Sequence, residues 1–520
     1  MAKAKKFNLK QKRRLLKFIK IGQIVLCVAL IGAVCFLGVA LRYIGGFTIV
    51  IDADSVENDY IGFGASSAWI FQKLGLRDET TKTEAINMLY GADGLALNIF
   101  RYNIGAGSSD SALDDLFPYN QASFDQARRG ESFFIADNFK NAESFSNENN
   151  YDFTRDAGVR DLLKRSVEIG NIKRVVFFAN SPHYLMTESG MATGEDEYQN
   201  NLKPDYYAAF SDYLLIITNA LYQTYLLDKN IEILISPVNE PQWRWGGENA
   251  TQEGCHFDPE ELAAFYDVFY TRLTAFNSEK NVNFKLEIFE NGNISLLNPV
   301  AKVRSYLKNF AKYDFFDEIE SISTHSYGNN TIVTRSSFED LISGKYNKNV
   351  SVTEFCEMYA GRDNSIDSAI HTAQVMLRDL KYLNATDWSW WLAVSDGDYN
   401  DGLVYWDVLD ETDKLSVLNR YYAFGQFSRY ITTGDKHISS RASGLTIFSN
   451  VEFVSFLKPD GTIIIVLTND SNYKKTIGFK DQTIIGGSYT NSELSWAKIN
   501  VSNENYIVLE PKSITTLELK

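Results

Sequence analysis

Between about residue 58 and residue 410 the chain alternates short apolar runs with longer helical stretches, and that alternation allows few architectures. Eight runs can be counted: Tyr60 to Gly64, Leu95 to Tyr102, Lys173 to Asn180, Ile231 to Asn239, Phe284 to Phe289, Glu318 to Ser326, Asn349 to Thr353 and Asp387 to Ala393. Between them lie segments such as Asp205 to Leu227, where Tyr206, Phe210, Tyr213, Leu214 and Ile217 recur at helical spacing. Pro259 to Phe276 opens on Pro-Glu-Glu, a common helix start. Eight strand–helix units over roughly 350 residues predict a (β/α)8 TIM barrel with insertions, an α/β fold. The longest insertion, the Asn-, Ser- and Asp-rich stretch Ser108 to Asp156, is expected as a loop on the barrel's active face.

Beyond about Tyr422 the helical pattern stops. Runs such as Val451 to Leu457, Thr462 to Thr468 and Ile514 to Leu519, punctuated by Pro459-Asp-Gly461 and Gly486-Gly487, predict a C-terminal β-sandwich domain. Phe47 to Ile51 is expected to add an N-terminal strand to it. The resulting division is a basic tail (1–20), a membrane segment (21–42), a first sandwich strand (47–57), the barrel (58–410) and the sandwich (411–520).

Two glutamates stand where apolar runs end. Glu240 closes Ile231-Glu-Ile-Leu-Ile-Ser-Pro-Val-Asn-Glu240 and is followed by Pro241, which cannot extend a ladder; Glu354 closes Asn349-Val-Ser-Val-Thr-Glu354. In a parallel barrel the C-terminal strand ends converge on one face, so these side chains can meet although they are far apart in sequence. Asn-Glu occurs three times, but Asn147-Glu148 and Asn503-Glu504 lie in polar stretches, and only Asn239-Glu240 follows an apolar run. Two facing carboxyls are what glycoside hydrolysis requires: one protonates the departing oxygen while the other attacks or assists at the sugar carbon. The bland alternative is a strand-end carboxylate that caps a helix or pairs with arginine. Glu290 is the chief rival to Glu354 as the second carboxylate.

The other strand-end residues are Trp69, Arg101, Asn180, Asn239, His325, Tyr327 and the cluster Trp388-Ser-Trp390-Trp391. Aromatic faces stack on sugar C–H surfaces, amides and Arg bind hydroxyls, and Tyr or Arg beside a carboxylate keeps it ionised. Any of these also serves as ordinary core. Strand alternation places Trp388 and Trp390 on one face and Trp391 on the other. Arg101, at the end of a buried run, must meet an anion, and a nucleophilic carboxylate would supply one. No metal is expected, because the five histidines show no ligand spacing. No cofactor is expected either: Gly62-Phe-Gly64 lacks the third glycine of a dinucleotide loop, and there is no Gly-x-Ser-x-Gly elbow.

The formal charge of −15 hides an asymmetry, since residues 1–20 hold nine Lys or Arg and no acid. The acidic remainder would repel phosphate backbones, which argues against nucleic acid as a partner. Ile21 to Leu41 carries no charge and as a helix would span about 31 Å, matching a bilayer core. A retained single-pass anchor with the body outside the cell membrane is expected; cleavage near Ala40, giving a secreted protein, is the competing reading. Cys255 and Cys356 would then lie where a disulfide is permitted, with two separate thiols as the alternative. A monomer is expected.

Taken together, these segments resemble glycoside hydrolase family 30, and most closely its endo-β-1,6-galactanase-like branch. The matching stretches are Gly62-Phe-Gly-Ala-Ser-Ser-Ala-Trp69, Asn98-Ile-Phe-Arg-Tyr-Asn-Ile-Gly105, Asn180-Ser-Pro-His-Tyr-Leu-Met-Thr187, Pro237-Val-Asn-Glu-Pro-Gln242 with Gln252-Glu-Gly-Cys255, His325-Ser-Tyr327, Thr353-Glu-Phe-Cys356 and Gly425-Gln-Phe-Ser-Arg-Tyr-Ile431. The resemblance implies a barrel flanked by a sandwich that includes the first strand, and retaining hydrolysis of a poly- or oligosaccharide. It implies Glu240 as acid/base and Glu354 as nucleophile, with Asn239 on the sugar 2-hydroxyl, Arg101 and Tyr327 on the nucleophile, and Trp69 and Trp391 lining the cleft. Leu392 stands where relatives often have glutamine. The mechanism further leads one to expect carboxyls about 5 to 5.5 Å apart, and a raised pKa at Glu240 that Glu354 lacks. Other readings are a glucuronoxylan or β-glucoside substrate, or a membrane-tethered glycan-binding protein without turnover.

Overall fold

The computed structural model describes residues 9–44, 46–116, 125–248, 250–328, 331–407, 413–443, 449–500 and 504–520, with side chains of the first helix described only at 17, 19–37. Residues 1–8 of the expected basic tail, Gly45, and the expected division between 410 and 411 lie outside the described residues. The chain opens with a helix, Leu9–Ile44. Its span Ile19–Leu37, of mean hydropathy 2.3, is long and apolar enough to cross a membrane, and none of it is buried against the rest of the chain.

After that helix, strand β1 (Phe47–Asp59) leads into eight strands that carry the barrel: β2 (Gly62–Ser66), β3 (Ile99–Asn103), β4 (Arg174–Phe178), β5 (Glu232–Ser236), β6 (Phe284–Leu286), β7 (Ser321–His325), β8 (Asn349–Glu354) and β9 (Ala385–Ser395). Each expected run overlaps one of them. Neighbours pair in parallel from β2 to β6 and from β7 to β9. Two seams close the cylinder. β9 pairs with β2, Gly62 opposite Asp387. Between β6 and β7, the Ser323 N–H donates to the Ile288 carbonyl (3.0 Å) and the His325 N–H to the Asn291 carbonyl (2.7 Å). Every residue of β4 and β9 is buried, as expected for parallel strands covered by helices on one side and a filled lumen on the other. Two further strands, β10 (Gly402–Trp406) and β11 (Leu415–Val417), extend the sheet beside β9.

The remaining strands, β12 (Lys436–Ser443), β13 (Val451–Leu457), β14 (Ile463–Asn469), β15 (Lys475–Phe479), β16 (Ile484–Thr490), β17 (Ala497–Lys498), β18 (Tyr506–Leu509) and β19 (Ser513–Leu519), build the sandwich with β1. β1 pairs antiparallel with β12 and parallel with β15, which makes the N-terminal strand an internal member of this unit. Its separate core gathers Ile49, Ile51, Ile465, Leu467 and Leu517.

The sixth and eighth barrel strands, β7 and β9, are pinned from outside. Asp379, on the helix Ile366–Tyr382, accepts from Arg335 Nε (2.6 Å), Ser326 Oγ (2.9 Å) and Trp388 Nε1 (2.8 Å), all fully or almost fully buried. Removing one member of such a set leaves a buried charge uncompensated. Asp379→Leu should therefore cost about 3–5 kcal/mol in denaturant unfolding of the detergent-solubilised chain. A loss of about 1 kcal/mol or less, the range of an exposed pair, would contradict this account.

Candidate active site

The eight strands end on a cleft of about 460 Å³ lined by Asn239, Glu240, Tyr327, Glu354 and Trp391, within the range of about 300–1,000 Å³ usual for ligand sites. Glu240 lies four residues past the end of β5, in a left-handed backbone conformation (φ 45°) that non-glycine residues rarely adopt. Its N–H donates to the Glu290 carbonyl (3.0 Å), and its own carbonyl accepts from the Trp243 N–H (3.1 Å) and the Trp245 indole (2.8 Å). These bonds hold the residue where its carboxyl faces the lumen. Gly292 must be glycine, since a Cβ there would collide with the Glu240 carboxyl and the Trp243 indole. Glu354 is the last residue of β8 and is 5% exposed.

The two carboxylates meet around one imidazole. His325 at the end of β7 places Nδ1 3.0 Å from Glu240 Oε1 and 3.4 Å from Glu354 Oε1, and Nε2 2.9 Å from Glu290 Oε2. One ligand atom from each of Glu240, His325 and Glu354 lies within 4.8 Å of the others. Tyr327 donates its hydroxyl to Glu354 Oε1 (3.0 Å). Arg101 donates to Glu290 Oε1 (2.7 Å) and lies 3.9 Å from Glu354 Oε2. Ser236 and Thr353 add hydroxyl bonds to Glu290.

These contacts set the protonation states. Burial works against a charge on Glu290, but the Arg101 guanidinium and His325 prevail and hold its carboxyl at about 2. Burial likewise opposes a charged His325, yet Glu354, Glu240 and Glu290 raise it to about 10. Burial pushes Glu354 up to about 7, with Glu240 adding to the rise and His325 and Arg101 opposing it. The expectation that Glu354 would lack a raised pKa is therefore corrected: it is the less exposed of the two carboxyls, and burial raises it. Both His325 nitrogens are taken up by carboxylates, Nδ1 by Glu240 and Nε2 by Glu290.

The structure distributes the remaining expected residues in three ways. Trp391 packs edge-to-face on Trp69 (5.3 Å between centroids) at the cleft wall, while Trp388 and Trp390 are fully buried on the opposite face of β9. Asn239 Oδ1, both polar atoms of the Asn180 amide and Trp69 Nε1 are buried with no hydrogen-bond partner among the described residues. Asn180 is not among the residues lining the cleft. One expectation is corrected and one open alternative is decided. Arg101 meets Glu290 more closely than Glu354, so Glu290 is the anion that the buried arginine demands and is fully enclosed rather than facing the cleft. Cys255 and Cys356 are free buried thiols, the first beside Asn200 and the His256 carbonyl, the second beside the Tyr327 hydroxyl.

Sequence reasoning also missed lining residues: Arg128 from the long insertion, Trp243 and Trp245 after Pro241, Gln252, Met358, Tyr399 and Asp401. The Trp243-Arg-Trp245 triplet, beginning three residues after Glu240, was the one visible signal.

A (β/α)8 barrel with paired carboxylates at its C-terminal face, carried beside a β-sandwich, is the arrangement of a glycosidase. Residues 46–405 match the O-glycosyl hydrolase family 30 profile and residues 434–517 match the family's β-sandwich domain, and the chain belongs to glycoside hydrolase family 30. It is 24% identical over 405 residues to an endo-beta-1,6-galactanase of Hypocrea rufa, covering 74% of this chain and 75% of that one. It is 25% identical over 296 residues to an exo-beta-1,6-galactobiohydrolase of Bifidobacterium longum, covering 47% of this chain and 19% of that longer protein. Among solved structures, a conserved exported protein from Bacteroides fragilis superposes with a TM-score of 0.73 at 20% identity, over 91% of this chain and all of that one.

The low carboxyl pKa of Glu290 links folding to pH. A carboxylate held at about 2 against an ordinary 4.5 contributes stability that is complete above about 4.5 and is lost as pH falls toward 2. Glu290→Gln should flatten the loss of stability over that window in unfolding curves taken at successively lower pH. An unchanged slope would show that Arg101 and His325 do not hold Glu290 ionised.

Proposed function

We propose that the protein hydrolyses a β-linked glycan with retention of configuration, its substrate being β-1,6-galactan or a similar galactose-containing polysaccharide. The observation that carries this reading is the approach of the Glu240 and Glu354 carboxyls to within 4.8 Å across an open cleft. Retaining glycosidases hold their carboxyls about 5–5.5 Å apart, whereas inverting ones leave about 6.5–9.5 Å for a water. The similarity to two enzymes named for β-1,6-galactan supports the choice of sugar.

In this reading Glu354 attacks the anomeric carbon and forms a glycosyl-enzyme while Glu240 protonates the leaving oxygen; Glu240 then takes a proton from the incoming water. Tyr327 and Arg101 stabilise the ionised nucleophile, and Asn239, whose Oδ1 has no protein partner among the described residues, binds the sugar 2-hydroxyl. Trp391 lines the same cleft with Trp69 packed against it, His325 orders the two carboxylates from behind, and Asn180 lies outside the lining. The helix Leu9–Ile44 anchors the enzyme in the cell membrane with the barrel outside.

Glu240→Gln should lower kcat by about 10²- to 10⁴-fold, the usual worth of acid/base assistance, in assays on β-1,6-galactan with product analysis across a polysaccharide panel. Azide should restore turnover of an activated aryl glycoside by Glu240→Ala; rescue of Glu354→Ala instead would reverse the two roles. A protein that retains galactan without shortening it would be a binder.

Because burial lifts Glu354 to about 7, its attacking form is lost as pH falls through that value, and kcat/KM should decline on the acid side. Tyr327→Phe removes a hydrogen bond to the ionised carboxylate and should move this limb to higher pH. A limb that stays in place would exclude Glu354 as the group that sets it.

A further inference from the structure

The wall of the cleft opposite Glu240 holds a carboxylate that the reaction does not use. Asp401 occupies the turn between β9 and β10, is 7% exposed, and lines the cleft beside Tyr399 and Trp391. Its backbone is fixed: the carbonyl accepts from the fully buried Trp390 indole, and the preceding Asn400 is held by Glu357 (2.6 Å) and by Arg420. Ser395 hydrogen-bonds the carboxyl, but Oδ1 has no hydrogen-bond partner among the described residues. A buried carboxylate oxygen left unpaired beside a cleft is an acceptor short of a donor.

Arg128, also lining the cleft, supplies the complementary donor. Its guanidinium lies 4.7 Å over the Trp69 ring, with Nη1 donating to Gln252 (3.2 Å) and Nε paired to Asp125 (3.2 Å). Burial raises the Asp401 carboxyl, opposed by the Ser395 hydrogen bond and, less strongly, by the Arg128 charge. The acid/base of a glycosidase touches the leaving oxygen, so the leaving sugar lies on the Glu240 side, toward Trp243 and Asn293. Arg128 follows the second barrel strand and Asp401 the eighth, which puts both on the other side, where the attacked sugar and those beyond it bind.

We propose that Asp401 is a specificity-determining residue of this end of the cleft: its carboxylate accepts hydrogen bonds from the hydroxyls of a neutral sugar, with Arg128 donating to the same sugar, and it disfavours a uronic acid. A vicinal diol presents both donors and acceptors and satisfies such a pair. A uronate does not, because Arg128 is already matched by Asp125 and a further carboxylate would face Asp401, Glu354 and Glu240, with no Lys or Arg besides Arg128 lining the cleft among the described residues. This inference rests on Glu240 and Glu354 being the reacting pair.

The test compares kcat/KM for β-1,6-linked galacto-oligosaccharides ending in galactose with the same oligosaccharides ending in glucuronic acid, using the full chain in detergent. The wild-type protein should prefer the neutral substrate. Asp401→Asn should lose roughly 10- to 100-fold on it, the worth of charge-assisted hydrogen bonds, and lose most of the preference. The substitution is isosteric, and melting curves establish that it folds; should it fail to fold, the wild-type preference decides alone. An active wild-type enzyme with no preference for the neutral end, or an Asp401→Asn variant with unchanged rates, overturns the inference and leaves the hydrolase reading standing. A wild-type protein that cleaves no glycan at all overturns both.

Discussion

The carboxylates of Glu240 and Glu354 are both positioned around one enclosed anion. Glu290 is fully buried, and a lone carboxylate there would be too costly to remain charged. Arg101, equally buried, keeps it ionised, and the ionised Glu290 then receives His325 Nε2, which turns Nδ1 toward Glu240 and Glu354. Thr353, the neighbour of Glu354, bonds the same carboxylate through its hydroxyl, while the Glu290 backbone carbonyl accepts from the Glu240 N–H. A buried ion pair of this kind adds little to stability compared with apolar packing. Its effect is geometric: β5, β6, β7 and β8 are brought into register at their ends through a single group.

The same arrangement explains where strain is kept. Glu240 and Glu290 both have positive φ, a conformation that costs of order 1–3 kcal/mol at a non-glycine residue and persists only when the surroundings enforce it. Here the enforcement is visible in the backbone bond from one to the other and in the Trp245 indole on the Glu240 carbonyl. The pair of strained residues faces a glycine, Gly292, where any side chain would strike the Glu240 carboxyl. Backbone strain, close approach and charge pairing thus converge on the same few ångströms, as expected where catalytic groups are held before substrate arrives.

Much of this was legible in the sequence because strand ends in a barrel have a fixed destination. The run ending at Asn239-Glu240-Pro241 and the run ending at Glu354 could be read as facing positions without knowing any contact, and alternation along β9 separated Trp391 from Trp388 and Trp390. What stayed hidden was pairing. Arg101 announced a buried anion, but nothing in the order of residues said that Glu290 rather than Glu354 would answer it, since both follow strands that converge on the same lumen. The relative burial of Glu240 and Glu354, which raises the second, leaves no mark in the order of residues. Cys255 and Cys356 invited a bridge by their nearness to the two glutamates, but they follow different barrel strands and contact different side chains. Arg128 and Asp401 lie in long connecting segments, where polarity is ordinary and side-chain direction cannot be read from a period.

The most direct measurement is to trap the intermediate with a 2-deoxy-2-fluoro β-galactoside bearing an activated leaving group, and to locate the adduct by peptide mass spectrometry. The account predicts one sugar bound to the peptide containing Glu354, with Glu290 unmodified because it is enclosed. A label on Glu290 or Glu240, or steady hydrolysis of the reagent with no covalent species, would contradict it.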